Sequence, residues 1–214
     1  MELPIILINL KRITGQDAKS LINEINPGFK KYKNKFKIGI IIQPLDLKSL
    51  SKSTDFEIYI HDINLTKPLF EILDKKFIQD VNLSGILINH PENKCSEDIL
   101  NKNYHSASSI DLKVVFAATN LDEAIKINNT YSPTYIAIER EDLIGKNISI
   151  KDYCPEIVTQ STKCISNQIL FGAGIRTNSD ISFVIQSGGA GVLIASAITK
   201  SSSPYKAMQI LLDT

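Results

Sequence analysis

A (β/α)8 barrel is the fold class that this sequence predicts, and three observations carry the prediction. Short apolar runs that read as buried strands alternate along the chain with segments of three-and-four helical spacing, the pattern of parallel βαβ units. Eight such pairs fit in 214 residues, roughly one pair per 27, near the small end of what such a barrel needs. An open doubly wound sheet is the alternative arrangement of the same units, and the absence of a Gly-x-Gly-x-x-Gly after the first strand disfavours a dinucleotide-binding fold. No linker or low-complexity stretch interrupts the series, so residues 1–214 are expected to form a single domain.

The first strand, residues 3–8, delivers Asn9 and Lys11 at its carboxyl end. Residues 17–25 then place Ala18, Leu21, Ile22 and Ile25 on one helical face, and Asn26-Pro27-Gly28 is expected to stop that helix. The second strand, 37–43, is broken by Pro44, and 45–50 has space only for a short helix. The third strand, 56–60, runs into His61 and Asp62, and 69–81 reads as a helix. The fourth, 85–88, ends in Asn89 and His90, with a broken helix expected across 91–110. Strands five to eight are 112–117, 134–138, 169–171 and 191–194. Helices are expected at 122–129, with Asp122 and Glu123 in its first turn, and at 155–165, opened by Pro155. Two more, 179–186 and 204–212, complete the series.

Composition narrows the class of function. Hydrophobic content of 43% with 22% charged residues is that of a soluble globular chain. The net charge of +1 supplies no pull toward nucleic acid or anionic membrane, and neither is expected as a partner. No run approaches the ~18 apolar residues of a membrane span, and Met1-Glu2-Leu3-Pro4 lacks the basic region of a signal peptide. Cys95, Cys154 and Cys164 are scattered, without Cys-x-x-Cys spacing, which fits free thiols in a reducing compartment. A cytoplasmic location is expected.

In a barrel of this kind the chemistry lies at the carboxyl ends of the strands. Those ends carry Asn9 and Lys11, Gln43, His61, Asn89 and His90, Glu139, Gly172 and Gly174, and Ala195 with Ser196. One cation, one imidazole and one carboxylate therefore converge from different strands. The turns Gly172-Ala173-Gly174 and Ala195-Ser196-Ala197 let backbone N–H groups approach a ligand and favour an anion, at the place where these barrels commonly bind phosphate. The segment behind Glu139, residues 140–147, is long enough to act as a lid.

Taken together, these segments resemble the archaeal-type triosephosphate isomerase family. Asn9-Leu10-Lys11 is similar to its first-strand Asn-x-Lys, and Asn89-His90-Pro91-Glu92 to its Asn-His-Ser-Glu. Glu139 through Leu143-Ile144-Gly145 resembles its glutamate and following loop, and the two small-residue turns resemble its phosphate-binding turns. The resemblance is collinear over nearly the whole chain. It implies interconversion of dihydroxyacetone phosphate and glyceraldehyde 3-phosphate, with Glu139 as base, His90 as electrophile and Lys11 as fixed positive charge. It implies that Asn9 positions substrate, that Gly145, Gly174, Ala195 and Ser196 hold the phosphate, and that Ile144 contributes to closure. It implies no metal or organic cofactor, and assembly as a homo-oligomer, a dimer or tetramer.

The chain departs from the family pattern at four places. Pro91 stands where a serine is usual, Arg140 where a proline usually stiffens the loop, and Lys146-Asn147 where Thr-Gly usually ends it, so a looser hinge is expected. Segment 64–73 lacks the Gly- and Thr-containing pattern through which the family's third loop supports a neighbouring subunit's lysine. His61 reads as structural or peripheral, and His105 is given no role. A diverged barrel that binds a phosphorylated ligand without isomerising it is the alternative function. Another aldose–ketose isomerase would usually want an acidic or thiol pair on its strands, which the set of Lys11, His90 and Glu139 does not supply.

Overall fold

The structure is a computed structural model that describes residues 2–61 and 75–213. The first part of the helix expected at 69–81 and the whole of segment 64–73 lie outside the described residues. The strands are β1 (Ile5–Asn9), β2 (Lys37–Ile42), β3 (Glu57–His61), β4 (Leu83–Ile88), β5 (Lys113–Ala118), β6 (Tyr135–Glu139), β7 (Gln168–Gly172) and β8 (Gly191–Ile194). All pair in parallel in chain order, and β8 closes on β1 with Ile5 opposite Gly191 and Ile8 opposite Ile194. The expected (β/α)8 barrel is the observed one.

Alternation along each strand divides the apolar residues into two layers. Leu7, Ile41, Tyr59, Leu87, Val115, Ala137, Leu170 and Leu193 fill the barrel interior. Their strand neighbours, among them Ile6, Ile40, Ile60, Ile86, Phe116 and Ile138, pack outward against the helices. Being buried on both faces explains why these strands read as continuous apolar runs rather than alternating ones. Tyr59 is one of two tyrosines in the interior. A Cβ on Gly39 or Gly85 would come within 2.9 and 2.6 Å of its ring, so those two glycines make its room.

The first helix runs Gly15–Tyr32, so Pro27 lies inside it instead of ending it, contrary to the expectation. A mid-helix proline costs about 3 kcal/mol, and packing against the last helix, Pro204–Leu212, offsets it. Gly28 lies so close to Met208 that a Cβ would sit 2.5 Å from its sulfur. Beyond it, Tyr32 is buried, its hydroxyl donates to Asp213 at 2.6 Å, and Lys31 pairs with the same carboxylate at 2.7 Å. Tertiary contact overrides a local breaker.

The broken helix across 91–110 resolves into a turn of 3-10 helix, Pro91–Asn93, and an α-helix, Glu97–Ser108. Two one-turn helices went unforeseen, Ile150–Tyr153 and Ser196–Thr199, each directly behind a segment with a candidate role. Leu3 is 40% exposed and precedes β1, while β4 starts at Leu83, so the expected strand limits shift by two residues at these points. No helix among the described residues is long and apolar enough to cross a membrane.

Candidate active site

The alternation that fills the barrel interior also delivers the site. Asn9 continues the inward row of Ile5 and Leu7, His61 that of Tyr59, and Glu139 that of Tyr135 and Ala137. Each of these three strands thus presents an apolar residue in mid-barrel and, two residues on, a polar one at its carboxyl end. Asn9, His61, Asn89, His90 and Glu139 are all buried there. His90 is out of phase with its strand. Asn89, at φ +63°, takes the left-handed conformation that breaks the alternation, and its own amide donates to Ala117 O and the Glu123 carboxylate, both at 3.0 Å. The turn swings the imidazole of His90 toward Glu139 instead.

Asn9 is fixed by donors on its oxygen. Its Oδ1 accepts the Lys11 N–H at 2.9 Å and lies 2.7 Å from His61 Nε2. That leaves Nδ2 buried and without a partner. His61, expected to be structural or peripheral, is therefore in direct contact with a site residue. Burial, and after it the facing ring of His90, pushes the His61 imidazole down to about 3. Lys11 holds φ +54°, and Gln43 Nε2 donates to its carbonyl at 2.6 Å, pinning the backbone there. The Lys11 ammonium reaches Glu92 Oε1 at 2.6 Å. Partial burial pushes the Glu92 carboxyl up, but the Lys11 hydrogen bond and charge outweigh it and leave the group below its ordinary value.

His90 caps the 3-10 turn that Pro91 opens. Its Nδ1 accepts the Glu92 N–H at 3.2 Å, which leaves Nε2 to carry the ring proton. Nε2 approaches Glu139 Oε1 to 3.2 Å without the alignment of a hydrogen bond, so both atoms are buried and unsatisfied. Glu139 lies along Gly172, its partner on β7; a Cβ there would fall 2.4 Å from Glu139 Cγ. Three buried polar atoms without partners, Asn9 Nδ2, His90 Nε2 and Glu139 Oε1, thus belong to one end of the barrel.

Beside them is a narrow cavity of about 40 Å³ lined by Lys11, Glu139, the residues expected to hold an anion, Gly145, Gly174, Ala195 and Ser196, and Ile144, expected to contribute to closure. Gly174 takes φ +74°, and its carbonyl accepts the Ile150 N–H at 2.9 Å, tying this turn to the far end of the loop. Asp180 is fully buried and locks the same junction. It accepts the N–H groups of Arg176 at 3.0 Å and Thr177 at 2.8 Å, and the hydroxyl of Ser149. At the near end, Arg140 forms a two-pronged pair with Asp142, Nε to Oδ1 at 2.9 Å and a terminal nitrogen to Oδ2 at 2.7 Å, with its guanidinium over the Tyr153 ring. A side-chain clamp occupies the position where a stiffening proline is usual.

Asp180 and Arg176 were not among the expected site residues. Thr177-x-x-Asp180 does carry a capping-box signature in the sequence, and the capping box is present. Nothing in the sequence tied it to the loop that ends at Ser149.

A buried carboxylate facing a proton-bearing imidazole nitrogen, next to a pocket lined by small-residue turns, defines a class: a barrel enzyme that moves protons on a small phosphoester. Comparison with known proteins gives the particular family. The triosephosphate isomerase family model matches residues 4–211. Curated triosephosphate isomerases similar to this chain include that of Pyrobaculum islandicum, 27% identical over 96% of this chain and 93% of its own length. Those of Methanobacterium bryantii (28%; 97% and 95%) and Thermoplasma volcanium (24%; 97% and 98%) are comparable. The fold is also similar to thiamine phosphate pyrophosphorylase from Pyrococcus furiosus, with a TM-score of 0.59 over 98% of this chain and 93% of that one. At 13% identity that likeness shows the architecture alone. The chain belongs to the triosephosphate isomerase family, and its activity is that of an isomerase.

Proposed function

We propose that the chain interconverts dihydroxyacetone phosphate and glyceraldehyde 3-phosphate through an enediolate, with Glu139 as the base. The observation that carries the assignment of roles is the set of orphaned buried atoms, Asn9 Nδ2, His90 Nε2 and Glu139 Oε1. Buried polar groups normally find partners, and these three offer two donors and one basic oxygen to a single small substrate. Glu139 takes a proton from the hydroxyl-bearing carbon beside the carbonyl, the pair of that C–H bond becomes the C=C bond of the enediolate, and the carbonyl π pair moves to oxygen. That oxygen then gains a proton, the neighbouring hydroxyl loses one as it becomes the new carbonyl, and Glu139 returns its proton to the former carbonyl carbon. His90 donates from Nε2 to the oxygen that gains charge, and Asn9 Nδ2 supports it. Triosephosphate isomerase is itself the standard worked case of a neutral histidine beside a glutamate base.

Lys11 supplies fixed positive charge, and its pairing with Glu92 holds the ammonium in place. Backbone groups of Gly145, Gly174, Ala195 and Ser196 take the phosphate, and Ile144 and its neighbours close over it. Excluding water from the enediolate protects it against loss of phosphate. Copies of the chain are expected to associate, as in the family. Light scattering on the purified protein checks this, and a monomer would set it aside.

A coupled assay of both directions, without added metal, tests the proposal. The expected result is turnover that Glu139→Gln reduces by about 10³-fold. Wild-type turnover no higher than that of the variant would leave only the alternative, a barrel that binds phosphorylated ligands.

A further inference from the structure

Apart from Arg12, which lines a pocket with Lys11 and Glu92, the cations around the site fall into two groups. Lys11, Lys94 and Arg140 each hold a carboxylate, Glu92, Glu123 and Asp142 respectively, at 2.6 to 2.7 Å. Lys146, Arg176 and Lys200 have no hydrogen bond or ion pair from their side-chain nitrogens among the described residues. All three belong to the phosphate end. Lys146 and Arg176 line the narrow cavity, and Arg176 and Lys200 line a second cavity of about 380 Å³ that shares Gly145, Arg176, Ser196 and Ala197 with it. The remaining walls of the second cavity are Asn147 and Ser201, so its lining contains two cations, polar side chains and no carboxylate.

A single phosphate held by the turns at Gly174 and Ser196 does not account for this second cavity. Lys200 does not line the narrow pocket, and Arg176 is half-buried with its main-chain N–H already held by Asp180. A partly desolvated guanidinium without a carboxylate is matched by a bidentate oxyanion, and a lysine across the same open cavity adds a second point charge. We propose that the phosphate pocket continues into a second anion subsite, formed by Arg176 and Lys200, which takes the outer phosphate of a diphosphate group. The ligand class is a diphosphate, either free or at the end of an ester. Arg176 lies at the junction of the two cavities and contacts both phosphates, while Lys200 contacts only the outer one. The proposal rests on the assignment of the substrate phosphate to the Gly174 and Ser196 turns.

Calorimetric titration of the full chain with inorganic phosphate, inorganic pyrophosphate and adenosine diphosphate tests it, with pyrophosphate also assayed as an inhibitor of triose phosphate turnover. Pyrophosphate is expected to bind at least about tenfold more tightly than phosphate and to compete with substrate. Lys200→Ala should remove most of that advantage while changing phosphate affinity by no more than about twofold, and Arg176→Ser should weaken both anions. Lys126→Ala removes the same charge from a different cleft and should change neither. Adenosine diphosphate binding as tightly as pyrophosphate would assign the subsite to ester-borne diphosphates, and weaker binding to the free anion. Equal affinities for phosphate and pyrophosphate, pyrophosphate inhibition that substrate does not relieve, or equal losses in Lys126→Ala and Lys200→Ala would each overturn the subsite. Because calorimetry reads binding without turnover, a protein that binds pyrophosphate as described but does not isomerise would refute the proposed reaction and leave the subsite standing.

Discussion

The two ends of the site are built from different materials. At the end where the base is proposed, the polar side chains are buried and aimed: Asn9 is held by His61 and the Lys11 N–H, His90 by the Glu92 N–H, and Glu139 by the bare surface of Gly172. At the end where the phosphate is proposed, the shape is set by backbone conformation, with Gly174 at φ +74° and the loop from Arg140 to Ser149 tied down at both ends. An orphaned donor or acceptor in the first region is costly without a ligand, which preorganises it for charge that develops late. In the proposed reaction the second region offers donors to the phosphate, whose charge is constant throughout. Damage to the first is therefore expected to lower kcat, and damage to the second mainly to raise KM.

Gly172→Ala tests this division most severely outside the base itself. The added methyl would lie 2.4 Å from Glu139 Cγ, and displacing the base by about 1 Å should cost about 10²-fold in kcat with little change in KM. Gly174→Ala puts a side chain at φ +74° with its Cβ 2.8 Å from the Ile150 nitrogen. It should raise KM by about tenfold and lower kcat by less, read from the same steady-state curves. A kcat loss for Gly174→Ala as large as that for Gly172→Ala would dissolve the contrast.

His61 sharpens the comparison through pH. Its folded-state value of about 3 lies below that of an exposed histidine, roughly 6.5. The unfolded chain therefore binds the extra proton first as pH falls, so stability is full above about 6.5 and declines as pH drops from there toward 3. Thermal denaturation between pH 7 and 5 should show a falling Tm in the wild type and a flatter profile in His61→Gln. The same variant should lose activity by loosening Asn9; unchanged activity would make His61 a packing residue only.

Arg140→Ala carries the smallest expected effect. The Arg140–Asp142 pair is part-exposed, so its loss is worth about 1 kcal/mol or less, no more than about fivefold in kcat/KM. A larger loss would mean that the clamp orders the loop throughout the catalytic cycle.

The end where the base is proposed is legible in the sequence as residue types at strand ends, Asn9, Lys11, His90 and Glu139, while their proposed roles come from the resemblance to the family. Period-two alternation explains that legibility, since it carries barrel-core spacing directly into the site. His90 is the exception in geometry: it stands at a strand end in the sequence, but it is the left-handed turn at Asn89, which alternation does not contain, that aims it at Glu139. The phosphate end is legible only through its small-residue turns, Gly172-Ala173-Gly174 and Ala195-Ser196-Ala197. Arg176 is not legible as a site residue because its side chain makes no hydrogen bond or ion pair among the described residues for a local pattern to signal, and Asp180 because its bond to Ser149 joins segments 31 residues apart. Pro27 misled for the same reason: packing against Met208 and Asp213 is a long-range contact that local propensity does not contain. Arg140 was read as a missing proline, and the compensating fork to Asp142, two residues on, is a matter of rotamer rather than of composition.

The central claim is that Glu139 is the base facing a substrate held by two turns. Its most direct measurement is the coupled triose phosphate assay of wild type and Glu139→Gln, run beside inorganic phosphate binding to both. The account predicts a loss of about 10³-fold in kcat with phosphate affinity unchanged within about twofold. Equal turnover in the two proteins, or a phosphate affinity that collapses together with activity, would contradict it.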